Sequence, residues 1–166
     1  YGSDIKSIDA FASYVPYLKL GNANGNSGSG DGEFNYPQDS TVGPNGNIYV
    51  VDRYNNRIQI FNSDGEYVSQ FSSYNGNNLE WIQGITTDAD GNVYVADRVL
   101  VKFDAQGNWL ETFSLNGFLN YVYDVTLDAD GNIRIISDNK VMVLSSTGEL
   151  LTTYGQSGYG DGEFSN

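Results

Sequence analysis

The sequence has no cysteine and no histidine, only three prolines, and eight basic residues against 21 acidic ones. Without cysteine there is no disulfide and no thiol chemistry, although this does not fix the compartment. Without histidine the segment lacks the commonest general base and the usual zinc ligand. A Ser–His or Cys–His nucleophile cannot form within it. The net charge of −13 repels polyanions, and Lys and Arg neutralising phosphates supply most nucleic-acid affinity. Nucleic acid and anionic membrane surfaces are therefore excluded as expected partners. There is no apolar run of the ~18 residues that span a bilayer. The acidity reads as a device for solubility, with cation binding or a charged outer layer on a secreted protein as the sharper alternative. A chain that begins at Tyr1 is expected of a processed protein or an excised piece.

What is abundant is glycine and tyrosine, with 20 and 13 residues. This composition suits many tight turns joining short strands and disfavours long helices. An internal repeat is plain. NGNIYVVD (45–52), DGNVYVAD (90–97) and DGNIRIISD (130–138) are one element written three times, with Gly46, Gly91 and Gly131 spaced 45 and 40 residues apart. A turn-and-strand element follows each: DGEYVSQF (64–71), QGNWLETF (106–113) and TGELLTTY (147–154). GDGEF at 30–34 returns at 160–164, 130 residues later. Each period of about 42 residues holds four short apolar or alternating runs, which matches a propeller blade. The pattern predicts strands at 39–43, 48–52, 57–61 and 66–71, then 84–88, 93–97, 100–103 and 109–113, then 124–128, 133–137, 140–144 and 149–154. Asn-Gly and Asp-Gly pairs supply the positive φ that short hairpins need.

The expected fold is all-β: four-stranded antiparallel propeller blades in a ring left incomplete within this chain. One segment covers 1–166, with a half blade at 1–20, full blades at 30–71, 78–113 and 118–154, and a linker to a next blade at 155–166. Rings usually need four or more blades, and an open sheet edge is adhesive. Further blades from the same or another chain are thus an expected partner.

The stretch GSGDGEFNYPQDSTVGPNGNIYVVDRYNNRIQIFNSDGEYVSQF (28–71) resembles the NHL repeat. The likeness lies in GEF followed by Pro37, the NGNIYVVD strand, the Asn-Arg-Ile of 56–58, Phe61 and the turn at 64–65. The later repeats are looser. Asp52 to Phe61 is nine residues, whereas Asp97 to Phe103 and Asp138 to Leu144 are six, and Asn-Arg-Ile is lost. The resemblance implies a propeller, usually of six blades, that mostly binds proteins and sometimes RNA or sugars. It also includes a minority of enzymes: amidating lyases, streptogramin lyases and gluconolactonase-type hydrolases. The lyases rely on histidine, which this segment lacks.

The DADGN turns at 88–92 and 128–132 resemble pieces of a calcium loop, but the twelve-residue series ending in Glu is missing; Asp and Asn there read as turn formers. No metal site and no cofactor is assigned. GDGEF reads as an inter-blade linker with Phe34 and Phe164 pinned between sheets, and Trp81 and Trp109 read as core. Asp52, Asp97 and Asp138 end the second strand of each blade, and Arg53 and Arg98 follow two of them. These form either inter-blade ties or a polar rim for recognition. Arg53, Tyr54, Asn55 and Arg57 fall in the longest inter-strand loop, suited to protein or glycan contact. The candidate ligand- or partner-binding set is therefore Asp52, Arg53, Tyr54, Asn55, Arg57, Asp97, Arg98 and Asp138, with no catalytic residue. The expected function is non-catalytic binding or scaffolding in a secreted or cell-surface protein. A metal-dependent hydrolase of the gluconolactonase type and a glycan-binding propeller are the alternatives.

Overall fold

A computed structural model describes residues 20–21, 25–115, 121–137 and 139–164. The half blade expected at 1–20 lies outside the described residues apart from Leu20, and Asp138 also lies outside them. Three four-stranded antiparallel sheets follow one another along the chain. Blade one comprises β1 (Pro37–Val42), β2 (Ile48–Asp52), β3 (Arg57–Phe61) and β4 (Tyr67–Phe71). A small hairpin, β5 (Ser73–Tyr74) with β6 (Asn77–Asn78), leads to blade two: β7 (Gly84–Thr87), β8 (Val93–Ala96), β9 (Leu100–Phe103) and β10 (Trp109–Phe113). Blade three is β11 (Asp124–Leu127), β12 (Ile133–Ser137), β13 (Lys140–Leu144) and β14 (Leu150–Tyr154). Every sheet is a meander with its strands in chain order.

One turn builds six of the hairpins. In each, a residue's N–H donates to the carbonyl four residues on, and the glycine three residues on donates back to it: Gly43–Asn47, Asn62–Glu66, Asp88–Asn92, Asp104–Asn108, Asp128–Asn132 and Ser145–Glu149. The glycine has φ near +80°, from 79° at Gly131 to 86° at Gly91 and Gly107, a conformation that side chains with a Cβ resist. The carboxylates of Asp88 and Asp128 lock their turns by accepting N–H bonds from Asn92 and Asn132 at 2.8 and 2.9 Å. The β5–β6 hairpin falls in a stretch (74–78) whose composition suggests a flexible loop. Asn75 and Gly76 both take positive φ, 45° and 80°, so Asn-Gly closes a two-residue turn there.

Strand alternation packs the blades face to face. Val93, Val95, Val101 and Phe103 of blade two join Tyr49, Val51, Ile58, Ile60 and Phe71 of blade one in one core. The intervening residues Tyr94, Ala96 and Leu100 join Ile133, Ile135, Met142 and Leu144 of blade three in a second core. Blade two is thus covered on both faces, and all of β8 is buried. The first strands line up on one side, with β7 packed between β1 and β11. This is radial stacking of propeller blades, and among the described residues the three sheets do not close a ring. The described helical structure is one short 3-10 turn, Arg53–Asn55, and no described helix is long and apolar enough to cross a membrane.

The two tryptophans depart from the core expectation. Trp81 and Trp109 are 49% and 40% exposed. Trp109 opens the outermost strand of blade two, which has no paired neighbour on its far side among the described residues. Trp81 precedes β7, at a blade rim.

Candidate functional site

The rim at the β2–β3 ends of the sheets is organised by the residue that closes each second strand. Asp52 Oδ1 accepts the N–H of Asn35 at 2.7 Å, and Asp97 Oδ1 accepts the N–H of Trp81 at 2.6 Å. In blade three the same task passes to Ser137, whose hydroxyl donates to the carbonyl of Tyr121. Each contact reaches back 16 or 17 residues to the linker entering that blade. An aspartate is well suited there, because its carboxylate holds backbone N–H groups that a buried linker could not satisfy otherwise.

Asp52 does more than this. It is fully buried, its Oδ2 lies 2.7 Å from Nε of Arg57, and it also accepts from Asn55 Nδ2 and Gln59 Nε2. Arg57 lies in β3 rather than in a loop, and is buried. It donates to Gln70 and to the carbonyls of Gly30 and Glu33, while Asn55 donates to the carbonyl of Gly28. Asp52, Asn55 and Arg57 therefore form a cradle for the 28–34 loop on the face of blade one that points away from blade two. Phe34, from that loop, packs on Phe61 with ring centroids 5.6 Å apart. The Asp–Arg pairing is accordingly not between consecutive residues: Asp52 pairs with Arg57, and Arg98 pairs with Glu80 at 2.9 Å.

The remaining candidates, Arg53 and Tyr54, face outward. Tyr54 stacks on Tyr36 with centroids 4.8 Å apart and planes 15° from parallel. Tyr36 holds a left-handed backbone, φ +58°, which is uncommon for a bulky residue. The Arg53 guanidinium carbon sits 5.9 Å from the Trp81 ring centroid. Beside it opens a cleft of about 420 Å³ lined by Arg53, Trp81, Gln83, Asp97, Tyr121, Val122 and Tyr123. A shallower depression continues from Arg53 and Trp81 to Tyr54, Asn56 and Glu80. Burial raises the Asp97 carboxyl above its ordinary range, against the backbone N–H groups of Trp81, Arg98 and Glu80 that favour its charge. Among the described residues no cluster of three or more His, Cys, Asp or Glu could hold a metal.

The structure thus divides the sequence-derived candidates. Arg53, Tyr54, Asp97 and Arg98 lie at the rim, Asp52, Asn55 and Arg57 lie under the 28–34 loop, and Asp138 is outside the described residues. Tyr36, Trp81, Tyr121 and Tyr123 were missing from the set. Their common signal is an aromatic one to three residues before the first strand of each blade.

Residues 34–61 match the NHL repeat family model. Protein lin-41 of Caenorhabditis elegans is 40% identical over 65 residues, covering 39% of this chain and 5% of that protein. Virginiamycin B lyase of Staphylococcus aureus is similar in structure, with TM-score 0.60, 20% identity, and coverage of 70% of this chain and 40% of that one. A catalytically inactive histidine-to-alanine variant of that lyase, solved with quinupristin, gives TM-score 0.61 at 16% identity, covering 78% and 42%. A Bacteroides caccae protein of unknown function gives TM-score 0.50 at 17% identity, covering 70% and 44%. The chain spans less than half the length of each of these relatives. At these identities the solved structures speak for the fold alone, and the sequence match is confined to blade one: residues 34–61 match the NHL repeat, and the chain is a run of β-propeller blades.

Proposed function

We propose that this chain is a non-catalytic binding module that engages a protein partner through the aromatic rim. One observation carries the proposal. Tyr36, Tyr54, Trp81, Tyr121 and Tyr123 are all exposed on successive linkers and loops; Trp81, Tyr121 and Tyr123 line a concave cleft, and Tyr54, stacked on Tyr36, lines the depression that continues from it. Rigid aromatics gathered in this way supply large contact area at low entropic cost and are typical anchors of protein interfaces. The left-handed Tyr36 adds weight, because strained backbone gathers at binding sites. The acidity favours partners with basic surfaces, which it would attract at long range, and supports a secreted or cell-surface setting.

The likeness to virginiamycin B lyase does not favour the same chemistry here. That protein is inactivated by losing one histidine, and this segment has none. The test is affinity capture with the intact chain and two variants. Trp81→Ala/Tyr121→Ala strips the rim; Val68→Ala/Leu151→Ala alters exposed residues of outer strands. A partner that is retained by the outer-strand variant and lost from the rim variant supports the proposal. A partner bound equally by both would place recognition elsewhere and end it.

A further inference from the structure

We infer that the cleft beside Trp81 takes an apolar or aromatic side chain of an extended peptide whose neighbouring residue carries a carboxylate, held by Arg53. This rests on the protein-binding reading above and specifies its ligand. The starting observation is an unusual cation. Arg57, Arg98, Lys102 and Arg134 are each paired with a carboxylate. Among the described residues Arg53 and the exposed Lys140 form no ion pair, in a chain with 21 acidic side chains, and of these two only Arg53 is partly buried. Its guanidinium is half-buried, lies against the Trp81 ring, and Nη1 donates to Gln38 at 3.2 Å. A guanidinium has five donors in a planar fork that matches a carboxylate. Most of that fork is directed to no protein acceptor.

The carboxylate nearest at hand within the cleft does not serve it. Asp97 is buried and accepts the N–H of Trp81, with the N–H of Glu80 at 3.4 Å from both oxygens. Glu80 is held by Arg98. Arg53 thus makes no ion pair at the edge of a cleft lined by Trp81, Tyr121, Tyr123 and the buried Val122, with Gln83 and Asp97 as its other polar lining. The volume, about 420 Å³, lies in the range of small-ligand sites. An anion on Arg53 and an apolar group against the rings satisfy both ends together. A peptide fits this better than an acidic sugar: a sugar could stack its C–H face on the rings, but its hydroxyls would find few partners in the lining, where Asp97 already accepts the Trp81 N–H.

The experiment uses the full chain carrying Trp109→Phe, so that Trp81 alone reports by fluorescence. The probes are N-acetyl-Phe-Glu-amide, N-acetyl-Phe-Gln-amide and glucuronate. The expected result is a saturable change at millimolar N-acetyl-Phe-Glu-amide, at least about tenfold weaker with the Gln peptide, as loss of a charge-assisted bidentate contact implies. Arg53→Gln should bring the Glu peptide down to the level of the Gln peptide. Equal binding of the two peptides, equal or tighter binding of glucuronate, or no saturable change overturns the inference. Should Arg53→Gln fail to fold, the two peptides compared on the chain with native Arg53 still decide. A protein partner lost from the Trp81→Ala/Tyr121→Ala chain but indifferent to Arg53→Gln would sink this inference alone and leave the broader reading standing.

Discussion

Arg57 and Asp52 face each other across β3 and β2 as directly paired residues, Nε to Oδ2 at 2.7 Å, with both side chains out of solvent. The pair is not an isolated bridge. Gln59 and Asn55 also reach the same Asp52 oxygen, and the carbonyls of Gly30 and Glu33 take the other end of the guanidinium. Removing the arginine would leave a buried carboxylate without its counter-charge and take one donor from each of two loop carbonyls. Arg57→Met is expected to cost about 3–5 kcal/mol, the usual penalty for orphaning one partner of a buried pair. Arg57→Lys should recover little, because an ammonium cannot span Asp52, Gln70 and two carbonyls in one plane. Urea unfolding measures both, and a loss below ~1 kcal/mol for Arg57→Met would contradict the cradle as described.

Blade-to-blade register depends on a glycine beneath a phenylalanine. A Cβ on Gly107 would lie 2.3 Å from Phe71, and one on Gly148 would lie 2.7 Å from Phe113. In both cases the last turn of one blade tucks under the ring that ends the last strand of the blade before it. Gly107 also holds φ +86°. Gly107→Ala combines backbone strain with a clash against a ring already packed on Phe103 at 4.5 Å. The expected loss is about 2–4 kcal/mol, strain and overpacking adding. Gly131 takes φ +79° with nothing near its Cβ position. Gly131→Ala should therefore cost only the backbone part, about 1–2 kcal/mol. Thermal unfolding of the two variants side by side separates the terms.

Two carboxylates should respond to pH with opposite signs. Burial raises the Asp124 carboxyl, Asp39 adds repulsion, and the Val125 N–H opposes both. Its ionised form therefore costs stability above its folded pKa, and that cost fades as pH falls towards the unfolded value near 4. Burial also works on Asp88, but the side chain and N–H of Asn92, with Lys102, outweigh it and lower its pKa. Its contribution is present above the unfolded pKa and is lost as pH falls through the folded one. At pH 7 Asp124→Asn should raise the melting temperature and Asp88→Asn should lower it. The Asp124 difference should shrink towards zero near pH 3, below both of its pKa values, whereas the Asp88 difference should persist to lower pH and fade only through its lowered folded pKa. A loss for Asp124→Asn at pH 7 would contradict the assignment.

Much of this architecture was legible in the repeat itself. All twelve strands expected in the three full blades are present, because alternation and Asn-Gly or Asp-Gly turns act over a few residues and leave a local trace. β1 begins two residues earlier than expected, at Pro37, which pairs with Asp52 across an irregularity in register. The rim was less legible. Asp52 and Asp97 were found as strand-end aspartates, but their partners lie 16 or 17 residues back, beyond any local pattern. Ser137 does in blade three what an aspartate does in the other two, so a search by residue type runs on to Asp138. Arg57 stood at the seam of two expectations, the strand at 57–61 and the loop before it, and the structure keeps the strand because the chain turns at Arg53–Asn55 and re-enters the sheet at once. Exposure of Trp81 could not be read from hydrophobicity, which assigns any tryptophan in an alternating protein to the core.

The acidic turns offer a check on the calcium alternative. Asp88 Oδ1 accepts from the N–H groups of Asp90 and Asn92. Its Oδ2 takes Asn92 Nδ2, the Tyr94 hydroxyl and, at 3.4 Å, Lys102 Nζ. A calcium ion needs six to eight oxygens and would have to displace an ammonium to reach this carboxylate. Millimolar calcium should leave the melting temperature unchanged, beyond the small general effect of ionic strength. A rise that saturates and is absent with magnesium would reopen the metal-dependent reading.

The two tryptophans provide a direct optical test of the rim. Both are partly exposed, yet in different surroundings: Trp81 beside a guanidinium, Trp109 on an outer strand with its indole N–H 3.0 Å from the Thr112 hydroxyl. Native emission should be red-shifted relative to buried indole, and acrylamide should quench both residues efficiently. Iodide and caesium should then separate them. Arg53 attracts iodide to Trp81, while the overall charge of −13 draws caesium to the rest of the surface. With Trp81 as sole reporter, Arg53→Gln should lower the iodide quenching constant and leave that of neutral acrylamide nearly unchanged. The same substitution with Trp109 as sole reporter should move neither, because that indole, on the outer strand of blade two, bonds to Thr112, whereas Arg53 lies in the β2–β3 turn of blade one against Trp81. Iodide quenching of Trp81 that ignores Arg53 would contradict an unpaired guanidinium beside that ring.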